Sequence, residues 1–98
     1  MIKIQIQSDT EREAIDMVRS AISAEIKRLE LGLKKTNRQI DEFEKKYKIP
    51  SSDFLEIFSA EDMEGQDREY IAWAGELKLR DRILSDLNQL KGIEYVAQ

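Results

Sequence analysis

The sequence has no histidine and no cysteine, only one proline and one tryptophan, and four scattered glycines. Zinc sites are built mainly from His and Cys, and helical di-iron sites need a Glu-x-x-His motif, so this composition excludes both kinds of site. Nucleophilic catalysis lacks its usual base, His, and a Cys nucleophile. We therefore expect a protein that is not an enzyme and that binds no metal and no cofactor. The absence of Cys also fits a reducing compartment.

Long hydrophobic runs are absent as well. No apolar stretch approaches the roughly 18 residues of a membrane span. The N-terminal residues alternate between polar and apolar instead of forming the apolar segment of a signal peptide. The sequence thus predicts a cytoplasmic protein without membrane contact. Its 98 residues allow one domain at most, and its 37% of charged residues are typical of a small helical or coiled-coil protein.

The sequence does contain a strong helical periodicity. Apolar residues recur every three or four positions, with Thr36 in the one gap: Ile15, Val18, Ile22, Ile26, Leu29, Leu33, Ile40, Phe43 and Tyr47. This spacing predicts a helix over 10–48 with one extra four-residue step near Ile22, which locally relaxes a left-handed supercoil. Gly32 inside this helix is either a tolerated surface glycine or a point of close helix approach.

The other elements follow from alternation, capping residues and a second apolar stripe. Residues 1–7 alternate as a half-buried strand does, and Thr10 with Glu13 forms a capping box. Pro50 ends the long helix, and Ser51 or Ser52 caps a short helix over 51–60. A helix over 67–91 carries Tyr70, Trp73, Leu77, Leu84 and Leu87, and 93–97 suits a strand. The predicted fold is a mainly α, long antiparallel helical hairpin, coiled-coil-like, with a short connecting helix and terminal strands, which dimerises.

Charge is distributed unevenly along the chain. Residues 1–50 contain 11 basic and 9 acidic side chains, whereas residues 51–98 contain 5 basic and 11 acidic ones. The two halves are therefore suited to pair with each other in a hairpin. The acidic stretch from Asp62 to Asp67 lacks the spacing of an EF-hand, so we interpret it as a solvated loop.

The lengths of the two long helices predict an uncovered apolar surface. At 1.5 Å per residue, a second helix folded back from Tyr47 reaches only to about Ile22. Ile15 and Val18 must then be covered by the terminal strands, by a second copy or by another protein. We therefore take Ile15, Val18 and Ile22 as candidate contacts with a partner or a second copy.

An aromatic cluster provides the remaining candidate contacts. Phe54, Phe58, Tyr70 and Trp73 flank the acidic stretch. They form either a small core at the tip of the hairpin or an anchor patch for a partner, since Trp and Tyr are favoured at interfaces.

DNA binding is an alternative function from a different class. Lys3, Gln5 and Gln7 would share one face of the N-terminal strand, as the base-reading residues of ribbon-helix-helix proteins do. That fold needs a turn after a first helix of modest length, and the apolar period here continues past residue 24 without one. A structural coiled-coil adaptor that forms a dimer is a third alternative.

A family resemblance rests on the segment from Phe43 to Phe54, FEKKYKIPSSDF, in which a long charged helix ends in Phe-Glu-x-Lys-Tyr before Ser residues and an Asp-Phe pair. An acidic loop with a Gly follows, then Tyr70-Ile71-Ala72-Trp73 at the start of a leucine- and charge-rich helix. Over about residues 21–91 the sequence resembles small helical antitoxins of the TumA type, which are paired with TumE-type toxins. The resemblance implies a protein that neutralises a cognate toxin by direct helical contact.

Overall fold

The computed structural model describes residues 2–6, 11–60 and 68–97. They form, in chain order, β1 (Lys3–Ile6), α1 (Glu11–Tyr47), α2 (Ser51–Ala60), α3 (Arg68–Lys91) and β2 (Glu94–Ala97). The predicted mainly helical fold with two short strands is confirmed, and dimerisation stays a prediction. The capping box at Thr10 and the acidic stretch 61–67 lie outside the described residues.

The chain divides into two compact units. Unit 1 comprises Met1–Gly32 with Ile83–Gln98, and unit 2 comprises Leu33–Arg82. In each unit, a segment of α1 packs against a segment of α3. Contacts within unit 2 run antiparallel, because Lys46 pairs with Glu69 while Phe43 stacks on Trp73.

The change of direction after α1 is stabilised by backbone and side-chain groups of unit 2. Lys48 adopts a left-handed conformation with φ of 57°, which interrupts the helix two residues before Pro50. The carbonyl of Pro50 accepts the first hydrogen bond of α2, from the Phe54 N–H at 3.1 Å. The Ser51 N–H, which has no partner within α2, donates to Glu44 Oε2 at 2.8 Å. A carboxylate on α1 thus satisfies part of the first turn of α2.

Unit 2 contains an apolar core made by all three of its helical segments. Its buried members are Ile40, Phe54, Trp73, Ala74 and Leu77, with Phe43, Tyr47, Ile49, Phe58 and Tyr70 packed around them. Thr36 is also buried, in the gap of the apolar period. A Thr is tolerated there because its hydroxyl can bond to the backbone of its own helix.

The buried residues of unit 1 differ from the predicted stripe at one position of α3. Leu29, Ile83 and Leu87 are buried, whereas Leu84, which the stripe included, is exposed. A Cβ added at Gly32 would lie 3.6 Å from Ile83 Cδ1. That distance is an ordinary van der Waals contact. Gly32 therefore faces α3 without an approach so close that only glycine fits.

The two strands of unit 1 pair with each other in parallel. Their register places Lys3 opposite Glu94 and Ile4 opposite Tyr95, and the Glu94 N–H donates to the Ile2 carbonyl at 2.8 Å. The strand that the sequence predicts over 93–97 is therefore present, and its partner is the N-terminal strand of the same chain.

Candidate partner-binding surface

Unit 1 brings together the three aliphatic residues that we predicted as partner contacts. Ile15, Val18 and Ile22 are each half-buried on α1, whereas Leu29 further along the same helix is buried. In unit 1 the last turn of α3 still lies beside α1, with Lys91 Nζ 3.8 Å from Glu30 Oε2. Beyond Lys91 the chain leaves the helix and enters β2, and the limit of the cover at about Ile22 stays a prediction.

The strand pair covers part of the α1 surface that α3 does not reach. Arg19 lies over the ring of Tyr95, with its guanidinium carbon 4.8 Å from the ring centroid. Since Ile4 is opposite Tyr95 in the register, these two side chains share the face of the strand pair that is turned toward Arg19. The strands therefore lie beside α1 without enclosing Ile15, Val18 and Ile22, which keep part of their apolar surface in contact with water.

The opposite face of the strand pair contains two of the three residues that we predicted as nucleic-acid contacts. Lys3 and Gln5 lie on it, and Gln7 is outside the described residues. Lys3 Nζ is 3.8 Å from Glu94 Oε2, so an acidic group sits beside the basic side chain of β1. The strand also pairs with β2 of the same chain, whereas a ribbon-helix-helix reader pairs its strand with that of a second copy. DNA binding stays an untested alternative.

The aromatic residues predicted as contacts lie in unit 2 and pack on one another. Trp73 and Phe54 are 0% and 3% exposed, and their stacked rings have centroids 3.9 Å apart. Tyr70 and Phe58 are half-buried, and both lie edge-on or tilted against Phe54. The four residues therefore form a small core, which was predicted as the alternative to an anchor patch for a partner. Of these four, Phe58 and Tyr70 keep surface with which a partner could make contact.

The indole N–H of Trp73 has a specific partner. It donates to Ser51 Oγ at 3.0 Å, and both side chains are buried. We predicted a capping role for Ser51, but its hydroxyl accepts from Trp73 and thereby ties α3 to the start of α2. A buried Trp usually donates its N–H to an acceptor, so such a bond could be expected from the sequence. The sequence does not identify the acceptor.

A polar cluster lies beside the aromatic core in unit 2. Lys46 Nζ donates to Glu69 Oε1 at 2.5 Å, and the Tyr47 hydroxyl donates to the same carboxylate. Hydrogen bonds from Lys46 and then from Tyr47 lower the pKa of Glu69 below its ordinary value. This carboxylate is held in its charged form by donors, which suits an ion pair at the start of α3 and not a general acid at neutral pH.

The described residues contain neither a metal-binding cluster nor a membrane-spanning helix. That part of the chain has no group of three or more metal-ligating side chains arranged around a common point. Within the same ranges, neither α1 nor α3 has a stretch long and apolar enough to cross a bilayer.

One feature of unit 1 was missed by the sequence analysis. The two most exposed large apolar side chains of the described residues, Met17 at 74% and Leu31 at 68%, are both on α1. They lie 14 residues apart in the sequence, which is two heptads, and therefore on the same side of the helix. A search for a second heptad pattern, offset from the buried one, would have found them.

The comparisons with known proteins give no relative: no family model, no curated protein and no solved structure matches this chain.

Proposed function

We propose that this chain is a protein-binding module of the antitoxin type, which neutralises a toxin by contact through α1 in unit 1. One observation carries the proposal. Ile15, Val18 and Ile22 remain only half-buried although the strand pair of the same unit already lies beside them. Apolar surface that a chain leaves in contact with water, next to an incomplete cover, is a typical place for a partner to bind.

Energetics favour apolar contact over polar recognition at this surface. Each square ångström of apolar area that a partner removes from water contributes about 25 cal/mol. The three residues recur at three- and four-residue steps, so they present a continuous ridge to a helix or a groove of the toxin. Binding an apolar ridge in a groove is a common way in which helical ligands are recognised.

Charge contributes to the rate of association in this proposal. Residues 61–67 include four carboxylates and no basic side chain. A toxin with a basic surface is attracted to such a segment over a distance of about a Debye length, so the association rate falls as salt is added. The apolar contact on α1 supplies most of the affinity and depends little on salt.

The experiment is an affinity purification of the tagged chain from its own cells, with mass spectrometry and measurement of stoichiometry. Two variants are compared with wild type: Val18→Asp, which places a charge on the proposed ridge, and Ser23→Asp, which places it at an exposed position on another side of α1. We expect one small partner at near-equal amounts with wild type and Ser23→Asp, and at least tenfold less of it with Val18→Asp. Circular dichroism checks that all three proteins are equally helical.

A second step tests toxin neutralisation. The recovered partner is expressed alone and together with the chain, and growth is followed. Growth arrest by the partner alone and its relief by the chain support the antitoxin function. A partner that does not affect growth, or one that Val18→Asp still recovers fully, contradicts the proposal. Recovery of DNA instead of a protein would favour the DNA-binding alternative, which a steep salt dependence and loss on Lys3→Ala would then confirm.

A further inference from the structure

The outer face of α1 in unit 1 has an apolar stripe with coiled-coil spacing. Met17, Ala21, Ala24 and Leu31 occupy it at steps of four, three and seven residues, and Arg28 fills the intermediate position. All five residues are exposed. Steps of four and three define a seam of a and d positions, the pattern with which two helices pack together. This stripe is distinct from Ile15, Val18 and Ile22, which lie on another side of the helix.

The centre of this stripe is shaped for a close approach of two helices. Ala21 and Ala24 have the smallest side chains of the five, and they lie between Met17 and Leu31. The distance between packed helices depends on the side chains at their contact, so two alanines allow a short one. The larger Met17 and Leu31 then lie on either side of the centre, where they can pack around the closest point.

Charges along the same face change sign from one end to the other. Glu13 and Asp16 are exposed near its N-terminal end, and Lys27 is exposed toward its C-terminal end, where Arg28 is paired with Glu25 of its own chain. An antiparallel second copy places the acidic end of one helix beside the basic end of the other, at both ends of the contact. A parallel copy places like charges together, which is unfavourable. The charge pattern therefore matches one occupant in one orientation, which is the same face of a second copy running the opposite way.

We propose that this chain forms an antiparallel homodimer through the outer face of α1. In the layer arrangement of an antiparallel coiled coil, Ala21 of one copy faces Ala24 of the other, and Met17 faces Arg28. The aliphatic stem of Arg28 packs on Met17 while its guanidinium keeps a hydrogen bond to Glu25 of its own chain, with Nε 3.1 Å from Glu25 Oε1. The stripe spans two heptads, about 21 Å, so the dimer forms in a concentration-dependent manner.

The dimer does not depend on the proposed toxin contact, because the two surfaces use different sides of α1. If the experiments refute one contact, the other can still be correct, since toxin binding is tested with a substitution at Val18 and self-association with one at Ala24. In each copy Ile15 and Ile22 lie off the stripe, whereas Val18 borders it next to Met17, so self-association of Val18→Asp is measured together with its recovery of the toxin.

The first test compares two neighbouring small residues of α1. Ser23 and Ala24 are both exposed in the same turn, but only Ala24 is on the stripe. Sedimentation velocity of the purified full chain, from micromolar to millimolar concentration, should show a monomer–dimer equilibrium for wild type. Ala24→Glu should weaken dimerisation at least tenfold, and Ser23→Glu should change it less than twofold, with equal helicity by circular dichroism. A wild-type chain that stays monomeric throughout, or an equal effect of both variants, overturns the proposal.

The second test determines the orientation. The chain has no cysteine, so two single variants, Met17→Cys and Arg28→Cys, give unambiguous crosslinks. In the antiparallel dimer residue 17 faces residue 28, whereas two copies of the same residue are separated by about 11 residues, or about 16 Å. Disulfides need Cα atoms about 4.4–6.8 Å apart. We expect a disulfide only in the mixture of both variants. Crosslinking of either variant with itself, at the rate of the mixture, contradicts the antiparallel arrangement.

Discussion

The hydrogen bond between Trp73 and Ser51 gives a prediction that a double-mutant cycle can test. Trp73 is fully buried, and its indole N–H donates to the buried Ser51 Oγ at 3.0 Å. This bond joins the first turn of α2 to α3 at the centre of the unit 2 core. If this bond stabilises the fold, each of the two residues contributes more to the free energy of unfolding when the other is present than when it is replaced.

The magnitude follows from what each substitution leaves behind. Ser51→Ala removes the acceptor and leaves a buried indole N–H without a partner, which costs about 1–3 kcal/mol. Trp73→Phe removes the donor and part of a stacked ring, and we expect a loss of about 1–3 kcal/mol. In the double variant neither the donor nor the acceptor remains, so its loss is about 1 kcal/mol smaller than the sum of the two single losses. A chain of this length has about 5–15 kcal/mol of stability, so the single variants should fold.

The assay is urea denaturation of wild type, both single variants and the double variant. Far-UV circular dichroism is the probe, because Trp73 is the only tryptophan and its fluorescence is lost in two of the four proteins. Ser52→Ala is the matched control, since Ser52 is the exposed neighbour of Ser51, and it should change the free energy of unfolding by less than about 0.5 kcal/mol. If Ser51→Ala costs the same in the Trp73→Phe background as in wild type, the bond does not stabilise the fold.

Three further predictions concern single residues. Gly32→Ala should raise the free energy of unfolding by up to about 1 kcal/mol, because alanine favours the helix and the new Cβ only touches Ile83 at 3.6 Å; a lower urea midpoint would contradict this. Lys48→Gly should raise the free energy of unfolding by about 0.5–1 kcal/mol, because the left-handed conformation at φ 57° is strained for Lys and not for Gly. An unchanged urea midpoint would show that this strain is absent. Glu69 has a lowered folded-state pKa, so the stability that it contributes is present above the ordinary Glu value of about 4.3 and is lost as the pH falls through the folded value. Melting temperatures of wild type and Glu69→Gln should therefore differ at pH 7 and converge in acid, and a constant difference would exclude this linkage.

The helices and strands were predictable because their signals are local and periodic. The observed α1 ends one residue before the predicted limit at Lys48, since a left-handed residue and Pro50 both interrupt a helix. The strand at Lys3–Ile6 follows from simple alternation.

The details of packing between elements were less predictable. Leu84 lies one heptad after Leu77, as a continued stripe requires, yet Ile83 is the buried residue and faces Gly32 on α1. The hydrogen bond of Ser51 was not predictable for a similar reason. The sequence offers Ser51 or Ser52 as a cap, whereas the Ser51 hydroxyl accepts from a buried Trp that is 22 residues away. Such pairings depend on three-dimensional contacts that no local pattern encodes.

The residues of α1 are buried to different extents in the two units. In unit 2 the helix contributes Ile40 to a buried core with Phe54 and Trp73. In unit 1 the same helix has only half-buried residues at Ile15, Val18 and Ile22, a two-stranded cover, and a second apolar stripe on its outer face. A two-stranded sheet stabilises itself only marginally, so a protein that binds this end of the molecule would stabilise it further. A second copy on the outer face of α1 and a toxin on the ridge of Ile15, Val18 and Ile22 would each stabilise unit 1. The two contacts are centred on different sides of the helix, so both can be proposed for it.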